Sequence, residues 1–172
     1  STELWSGASA QNINAVGNVK VQEASVKKVN GVGGNIYSNG EVYLRNSTIE
    51  GNVSAQGKIE MFVSADVNGN MESARHVYIS DSDVRGDVRV YDYVDMIAGA
   101  KVHGSVYAKG INTVGSSNTV RLSTSWIGGN VYALGHLRLV DGIVGESVRG
   151  NVYLTGTVKT SKLPIKGSTS EN

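Results

Sequence analysis

The sequence repeats one phrase at a nearly constant interval. Forms of it are GNIYSNGEVYL from Gly34, GNVYALGHLRL from Gly129 and GNVYLTGTV from Gly150. Successive copies start 17 or 18 residues apart, except for one interval of 25 and one of 21. A fixed period of this size is typical of repeat proteins, in which each unit buries its apolar side against the next. The repeat glycines are Gly17, Gly34, Gly51, Gly69, Gly86, Gly104, Gly129, Gly150 and, more weakly, Gly167.

Apolar residues occupy the same places in every repeat, which predicts strands that point these residues inward. The Asn, Asp or Ser after each glycine tolerates a left-handed backbone and predicts a corner. Eight and ten residues after the glycine stands an apolar pair such as Val77 and Ile79. The position two before the glycine is held by Val32, Ile49, Val67, Val84, Val102, Ile127, Val148 and Ile165. The position two after it is held by Val19, Ile36, Val53, Met71, Val88, Val106, Val131 and Val152.

Three short strands per repeat predict an all-β fold, a single-stranded triangular β-helix (β-solenoid) of about eight coils of 17–18 residues. A β-sandwich of hairpins is the alternative, but it would not keep this register. The two long intervals predict loop insertions, at residues 110–118 and 140–146. We expect residues 1–16 to form an N-terminal cap, 17–167 the solenoid and 168–172 a tail.

Composition and charge exclude several classes of protein. The chain has no Cys, which excludes disulfides, thiolate catalysis and zinc–cysteine sites. Its net charge of +1 gives no general case for nucleic acid or an anionic membrane as partner, and we expect no membrane contact by this segment. The charge is uneven, however, because residues 1–100 carry −4 and residues 101–172 carry +5. Complementary halves would suit head-to-tail association, or an anionic polymer such as DNA at the basic half, although a chance imbalance of this size is common.

The repeats GNVSAQGKIEM, GSVYAKG and GNVYALGHLRL resemble those of bactofilins, which are bacterial polymer-forming β-helix proteins. They are also similar to β-solenoid segments of PilX-like or ComZ-like minor pilins. The resemblance covers residues 17–167. The bactofilin resemblance implies a right-handed helix, end-to-end polymerisation and no enzymatic activity, whereas the pilin resemblance implies an adhesive surface on a pilus.

No cofactor motif is present, and the catalytic signal is weak. The residues Asp81, Asp83, Asp92 and Asp95 form a weak candidate metal site or carboxylate pair, provided that they converge on successive coils with Asp66. A solvated acidic surface is the explanation that we favour. We therefore predict that the protein is not an enzyme, with a polysaccharide-active β-helix as the lesser alternative.

Outward positions offer a better candidate for binding. Three residues after the glycine, Tyr107, Tyr132 and Tyr153 fall on consecutive repeats, with Lys109 and Arg138 nearby. An exposed aromatic row of this kind favours contact with a glycan, a DNA base or another protein. It is also compatible with simple cross-coil packing.

These observations predict a structural or adhesive module of the bacterial surface or a pilus, outside the cell, which binds a polymer, pilus subunits or other copies of itself. The alternative is an intracellular, cytoplasmic scaffold that forms polymers, as in bactofilins. Filaments would favour this scaffold.

Overall fold

The computed structural model describes residues 1–108, 118–123, 125–140, 143–144, 148–154, 159–160 and 169–171, with side chains for residues 1–108, 120 and 125–132. These residues form strands, turns and bends without a helix, and none of their segments is a helix that could cross a membrane. Apart from one hairpin, all strands pair in parallel with the equivalent strand of the neighbouring coil. The predicted β-solenoid is therefore confirmed.

Each coil passes over three faces, which we call the first, second and third face. The strands of the first face are Ile13–Ala15, Ile36–Ser38, Val53–Ala55, Met71–Ser73, Val88–Val90 and Val106–Ala108. Those of the second face are Thr2–Leu4, Val19–Gln22, Val42–Arg45, Ile59–Phe62, Val77–Ser80, Val94–Ile97, Asn118–Ser123 and Thr169–Glu171. The long strands Val131–Val140 and Val148–Leu154 run across the first and second faces.

The third face consists of two-residue strands stacked in one column. They are Ser9–Ala10, Ser25–Val26, Thr48–Ile49, Asp66–Val67, Asp83–Val84, Lys101–Val102, Trp126–Ile127, Ile143–Val144 and Lys159–Thr160. The second residue of each strand from Val26 to Ile127 points inward and is 0% exposed. The apolar pairs on the second face, such as Val77 with Ile79 and Val94 with Met96, are buried as well. The core is thus a set of apolar ladders that run along the rod, as the repeat predicts.

The first repeat has a different register from the one predicted. Val19 pairs with Val42 on the second face, and Ile13 takes the place beside Ile36 that we expected for Val19. The cause is that glycines recur at two corners, so that Gly17 belongs with Gly40 rather than with Gly34. The segment expected as a cap over residues 1–16 takes the form of a further coil, whose strands pair with the next one.

A hairpin insertion that the sequence analysis did not predict lies between the third and first faces, at residues 28–33. Strands Lys28–Val29 and Val32–Gly33 pair in antiparallel fashion around Asn30 and Gly31, which both have positive φ. Val32 lies in this hairpin and is 68% exposed, so its predicted inward position is wrong and Val26 occupies that column instead. The Asn-Gly turn is a hairpin signal that the 17-residue spacing of Gly17 and Gly34 concealed.

Of the two loop insertions that the sequence predicted, the first is supported by the strand pairing and the second is not. Val94 pairs with Val120, whereas Val88 pairs with Val106, so extra residues do lie between these strands. The predicted loop 110–118 falls almost wholly outside the described residues. Ile127 pairs with Val144 and Val131 with Val148, each 17 residues away, so the register of these described strands does not support the insertion predicted at 140–146. Val148 consequently pairs with Val131, and Val152 with Leu137, in contrast to the columns that we predicted.

Two ladders of hydrogen bonds join successive coils at the corner that precedes the first face. Backbone amides of the repeat glycines donate to the carbonyl of the glycine one coil away, over distances of 2.9–3.2 Å from Gly51 to Gly129. Beside them, the side-chain oxygen of each corner residue accepts from the amide of its successor, as in Asn52 Oδ1 to Asn70 N at 2.8 Å. The members of this second ladder are Asn12, Asn35, Asn52, Asn70, Asp87, Ser105 and Asn130.

These asparagines are not in the left-handed conformation that the sequence suggested. Positive φ occurs instead at the corner between the second and third faces, where Glu23, Asn46, Val63, Ser64, Asp81 and Ala98 have values of 43–55°. The residue types at that corner vary, so the sequence contains no visible signal for it. At the other corner, Asn, Asp or Ser is explained by its side-chain oxygen, which accepts a hydrogen bond from the next coil.

Candidate interaction surfaces

Tyr107 and Tyr132 form the centre of the predicted aromatic row. They lie at paired positions on the first face, and their rings stack with centroids 4.7 Å apart and an angle of 7° between planes. The guanidinium of Arg89, one coil below, lies 4.8 Å from the Tyr107 ring centroid and is bonded to Asp87 at 2.8 Å. The faces of the Tyr107 ring are therefore covered by Arg89 and Tyr132, which disfavours a sugar or base that would bind by stacking on it.

The remaining members of the predicted site do not extend this stack. Tyr153 pairs with Arg138 on the second face, and the position after Tyr132 in the row is held by Arg149. The expected alignment of three tyrosines is therefore wrong, because the register shifts between Tyr132 and His136. Lys109 lies outside the described residues. Binding of a glycan or DNA by this group stays a prediction.

The four aspartates of the weak metal or catalytic candidate are distributed over different parts of the coil. Asp83 pairs with Asp66 on the third face, and both line a shallow pocket with Asp81. Asp95 lies on the second face beside Tyr78. Among the residues with described side chains, no three acidic or histidine groups are placed to hold a metal ion. Asp66, Asp81 and Asp83 thus share one pocket, but the expected convergence of all these aspartates is wrong, because Asp95 lies on another face and Asp92 at another corner.

Asp66 and Asp83 nevertheless affect each other. Burial raises the pKa of Asp66 above its usual range, the nearby charge of Asp83 raises it further, and Arg85 partly offsets both effects. The folded state then binds a proton at Asp66 more tightly than the unfolded state does. Once the pH rises through the raised pKa, the ionised Asp66 carboxylate lowers the free energy of unfolding. At low pH, where the group is protonated in both the folded and the unfolded state, it has no such effect.

We expect the substitution Asp66→Asn to stabilise the protein at pH 7, because it removes this electrostatic and desolvation cost. The gain should shrink as the pH falls through the raised pKa and become small by about pH 3.5, where the carboxyl group is mostly protonated in both states. Urea unfolding of the two proteins at pH 7 and pH 3.5 provides the measurement. A variant that is less stable than the parent at pH 7 would contradict the assignment.

The corner between the first and second faces contains a buried polar group that the sequence did not reveal. Asp92 is 6% exposed, and its Oδ1 atom has no hydrogen-bond partner among the described residues. Beside it, His76 and Tyr93 stack at 4.7 Å. Burial and the charge of Lys58 lower the pKa of His76, which keeps the ring neutral at pH 7. Burial also raises the pKa of Tyr93, so the stacked pair is uncharged.

A row of aromatic and cationic groups crosses the second face. Lys20 Nζ lies 4.2 Å from the Trp5 ring centroid and 5.7 Å from that of Tyr43. Phe62 then contacts Tyr43 at 5.4 Å and Tyr78 at 5.2 Å between centroids. Sequence reasoning missed this row because it placed Lys20 in the wrong column. The aromatic residues between the apolar pair of two repeats, Tyr43 and Tyr78, were the available signal.

The N-terminal end of the rod presents strand edges that have a partner on one side only. Within the described residues, Thr2–Leu4, Ser9–Ala10 and Ile13–Ala15 each pair with the following coil and with no other strand. Small and apolar side chains pack against the core at this end, namely Leu4, Ala8, Ala10 and Ala15. A further coil can pair with unpaired strand edges of this kind and pack against the apolar side chains beside them.

Stacked parallel coils with outward ladders and open strand edges define a structural β-solenoid. A family model described as "Bactofilin: Polymer-forming cytoskeletal" matches residues 24–122, which is more than half of the chain. The chain belongs to the bactofilin family. This finding supports the bactofilin resemblance of the repeats, and none supports the pilin resemblance. No curated protein and no solved structure matches the chain.

Proposed function

We propose that this chain is a polymer-forming cytoskeletal scaffold that elongates by stacking the ends of its solenoid, and that its role is not enzymatic. Membership of the bactofilin family supports the proposal. The cytoskeletal description corresponds to the alternative that we drew from the sequence, and the adhesive, pilus-associated and extracellular interpretation has no support. A place of action inside the cell and self-association as the main contact are part of the same proposal.

Among the residues that the structure describes, the strands of the first coil pair on one side only, which offers a surface for end-to-end stacking. The amide of Ile13 donates to Asn35 O at 2.9 Å, and Ala15 O accepts from Asn39 N at 3.0 Å. Because the backbone groups of successive strand residues point to opposite sides, the amide and carbonyl of Asn14 point away from the rod. Thr2 likewise donates inward to Asn18 O, which leaves Glu3 at the open side. These groups can extend the sheets of another copy.

A proline at the edge tests this role. We expect Asn14→Pro to shorten or abolish filaments, because proline lacks the amide that a stacked copy would need and its ring obstructs the edge. The folded subunit should stay stable, since Asn14 is an exposed edge residue whose amide makes no bond to the next coil. Negative-stain electron microscopy and sedimentation measure the filaments, and thermal unfolding measures the subunit.

Asn14→Ala serves as the matched control, since it removes the same side chain and keeps the amide. It should form filaments like those of the parent chain. Glu3→Pro together with Asn14→Pro should block assembly more completely than either change alone. Filaments of normal length from the folded double variant would exclude this end as the assembly site, and a parent chain that stays monomeric at every concentration would overturn the proposed function.

A further inference from the structure

Asparagine followed by glycine occurs three times in the chain, and at such a pair the backbone can modify the asparagine without an enzyme. The pairs are Asn30–Gly31, Asn39–Gly40 and Asn68–Gly69. Asparagine is a chemically labile residue, and a following glycine has no side chain to keep its nitrogen away from the asparagine amide. All three asparagines are exposed. The difference between the pairs therefore lies in the glycine nitrogen and in the freedom of the backbone around it.

Hydrogen bonds hold the glycine nitrogen at two of the three pairs. Gly69 N donates to Gly51 O at 3.0 Å in the ladder that joins the coils, and Gly40 N donates to Ser38 Oγ at 3.0 Å. The next coil also encloses both glycines. A Cβ on Gly69 would lie 2.5 Å from Gly51 O, and one on Gly40 would lie 2.9 Å from the carbonyl carbon of Gly17. A nitrogen held in this way cannot approach the asparagine side chain until its hydrogen bond has opened.

Gly31 differs from both, because it lies at the tip of the hairpin, between the paired residues Val29 and Val32. No atom of the described residues accepts a hydrogen bond from its nitrogen. No atom lies within 4 Å of a Cβ built on Gly31, so the space around the turn is open. Asn30 and Gly31 both have positive φ, with values of 52° and 78°. The nitrogen of Gly31 is therefore free to move toward the side chain of Asn30.

We propose that Asn30 is a site of spontaneous deamidation in the folded protein. A base removes the proton of Gly31 N, and this nitrogen attacks Cγ of Asn30. The new N–Cγ bond closes a succinimide ring, the Cγ–Nδ2 bond breaks, and Nδ2 takes up a proton and leaves as ammonia. Water then adds to one of the two ring carbonyl carbons and breaks the bond between that carbon and the nitrogen. One opening gives aspartate, the other gives isoaspartate, and neither needs an oxidant or a reductant.

Either product changes the hairpin. A carboxylate replaces the neutral amide, which lowers the net charge of the chain by one, from +1 to 0 at pH 7. In the isoaspartyl product the backbone runs through Cβ to Cγ and so gains a methylene group at the turn. Because loop length sets the register of a hairpin, this longer link should release the pairing of Val29 with Val32. Both valines are exposed, so the core should stay intact.

Mass spectrometry after incubation of the folded chain in mildly alkaline buffer compares the three sites in one sample. Trypsin cleaves after Lys and Arg, and it releases residues 29–45, with Asn30 and Asn39, and residues 59–75, with Asn68. Fragmentation of these peptides assigns the carboxylate product to one asparagine. We expect Asn30 to react at least about tenfold faster than Asn39 and Asn68, whose backbone must open first. Equal rates in the folded chain, or a faster reaction at Asn39 or Asn68, would overturn the proposal.

The same incubation in concentrated urea tests whether the fold causes this difference. In the unfolded chain no hydrogen bond holds the nitrogen of any of the three glycines, so the three rates should become similar. Asn39 and Asn68 should accelerate most, because they lose the protection of the coils. A preference for Asn30 that stayed the same in urea would overturn the role of the hairpin, since the neighbouring sequence would then select the site.

Isoelectric focusing of two variants provides a second measurement on the intact protein. The parent chain should form a species with one more negative charge, and the share of this species should grow with time. Asn39→Gln should form it at the parent rate. Asn30→Gln should form little of it, because glutamine would have to close a larger ring, which is much slower. A charge change that persists at the parent rate in Asn30→Gln would overturn the proposal.

Discussion

A Val84→Asp chain is expected to lose its folded structure. Val84 is 0% exposed and stands in the third-face ladder between Val67 and Val102. A carboxylate at this place has no polar partner in the core, and it must either stay charged in an apolar surrounding or take up a proton at a cost. The loss should exceed about 4 kcal/mol, which is much of the stability of a typical domain.

Two control variants separate burial of charge from loss of packing. Val84→Ala removes the buried side chain without adding a polar group, and should cost only about 1.5–3 kcal/mol. Asn68→Asp places a carboxylate on the exposed corner next to Val67 and should leave stability nearly unchanged. Circular dichroism and thermal unfolding are the measurements. A Val84→Asp protein that melts at the same temperature as the parent would refute the inward direction of this ladder.

Gly69→Ala is expected to destabilise the protein by about 3 kcal/mol or more, since it overpacks a backbone contact. A Cβ atom on Gly69 would lie 2.5 Å from the carbonyl oxygen of Gly51 and 2.6 Å from its carbon, and would also clash with Asn52 Oδ1. The same contact contains the hydrogen bond from Gly69 N to Gly51 O at 3.0 Å. Neither backbone can move away without disturbing the stacking of the coils.

Gly99→Ala provides the matched control. No atom lies within 4 Å of a Cβ at this position, but Gly99 has a φ of +78°, which favours glycine. We expect a cost of about 1–2 kcal/mol from the left-handed backbone alone. Urea unfolding curves for both variants test the difference. If Gly69→Ala proved no more harmful than Gly99→Ala, close approach of the coils would not be the reason for glycine at the repeat corner.

The apolar ladders illustrate how far sequence periodicity can determine a fold. Val67, Val84 and Val102 recur at the same place in repeats of 17 or 18 residues, and only stacked coils bury them all at once. The prediction failed where the period was produced by coincidence. Gly17 and Gly34 stand 17 residues apart, although they belong to different corners with a hairpin between them. Spacing alone cannot distinguish two corners that both need a small residue.

The candidate surfaces were harder to predict from the sequence, because outward residues follow no apolar pattern that would confirm their positions. The stack of Tyr107 on Tyr132 was predictable from two regular repeats. The place of Tyr153 was not, since the register of Val148–Leu154 changes between Tyr132 and His136. The contact of Trp5 with Lys20 likewise depends on which strand follows which corner.

The sequence by itself determined the all-β class, the coil length and the identity of most inward residues, because burial in a stacked repeat demands the same residue type at the same interval. Only the tertiary structure decided which glycines share a corner, where the chain inserts a hairpin, and which outward side chains become neighbours. These depend on contacts between coils at distances of a few ångströms. A shift of the register, invisible in composition, moves Tyr153 to the second face and places Arg149 after Tyr132 on the first face.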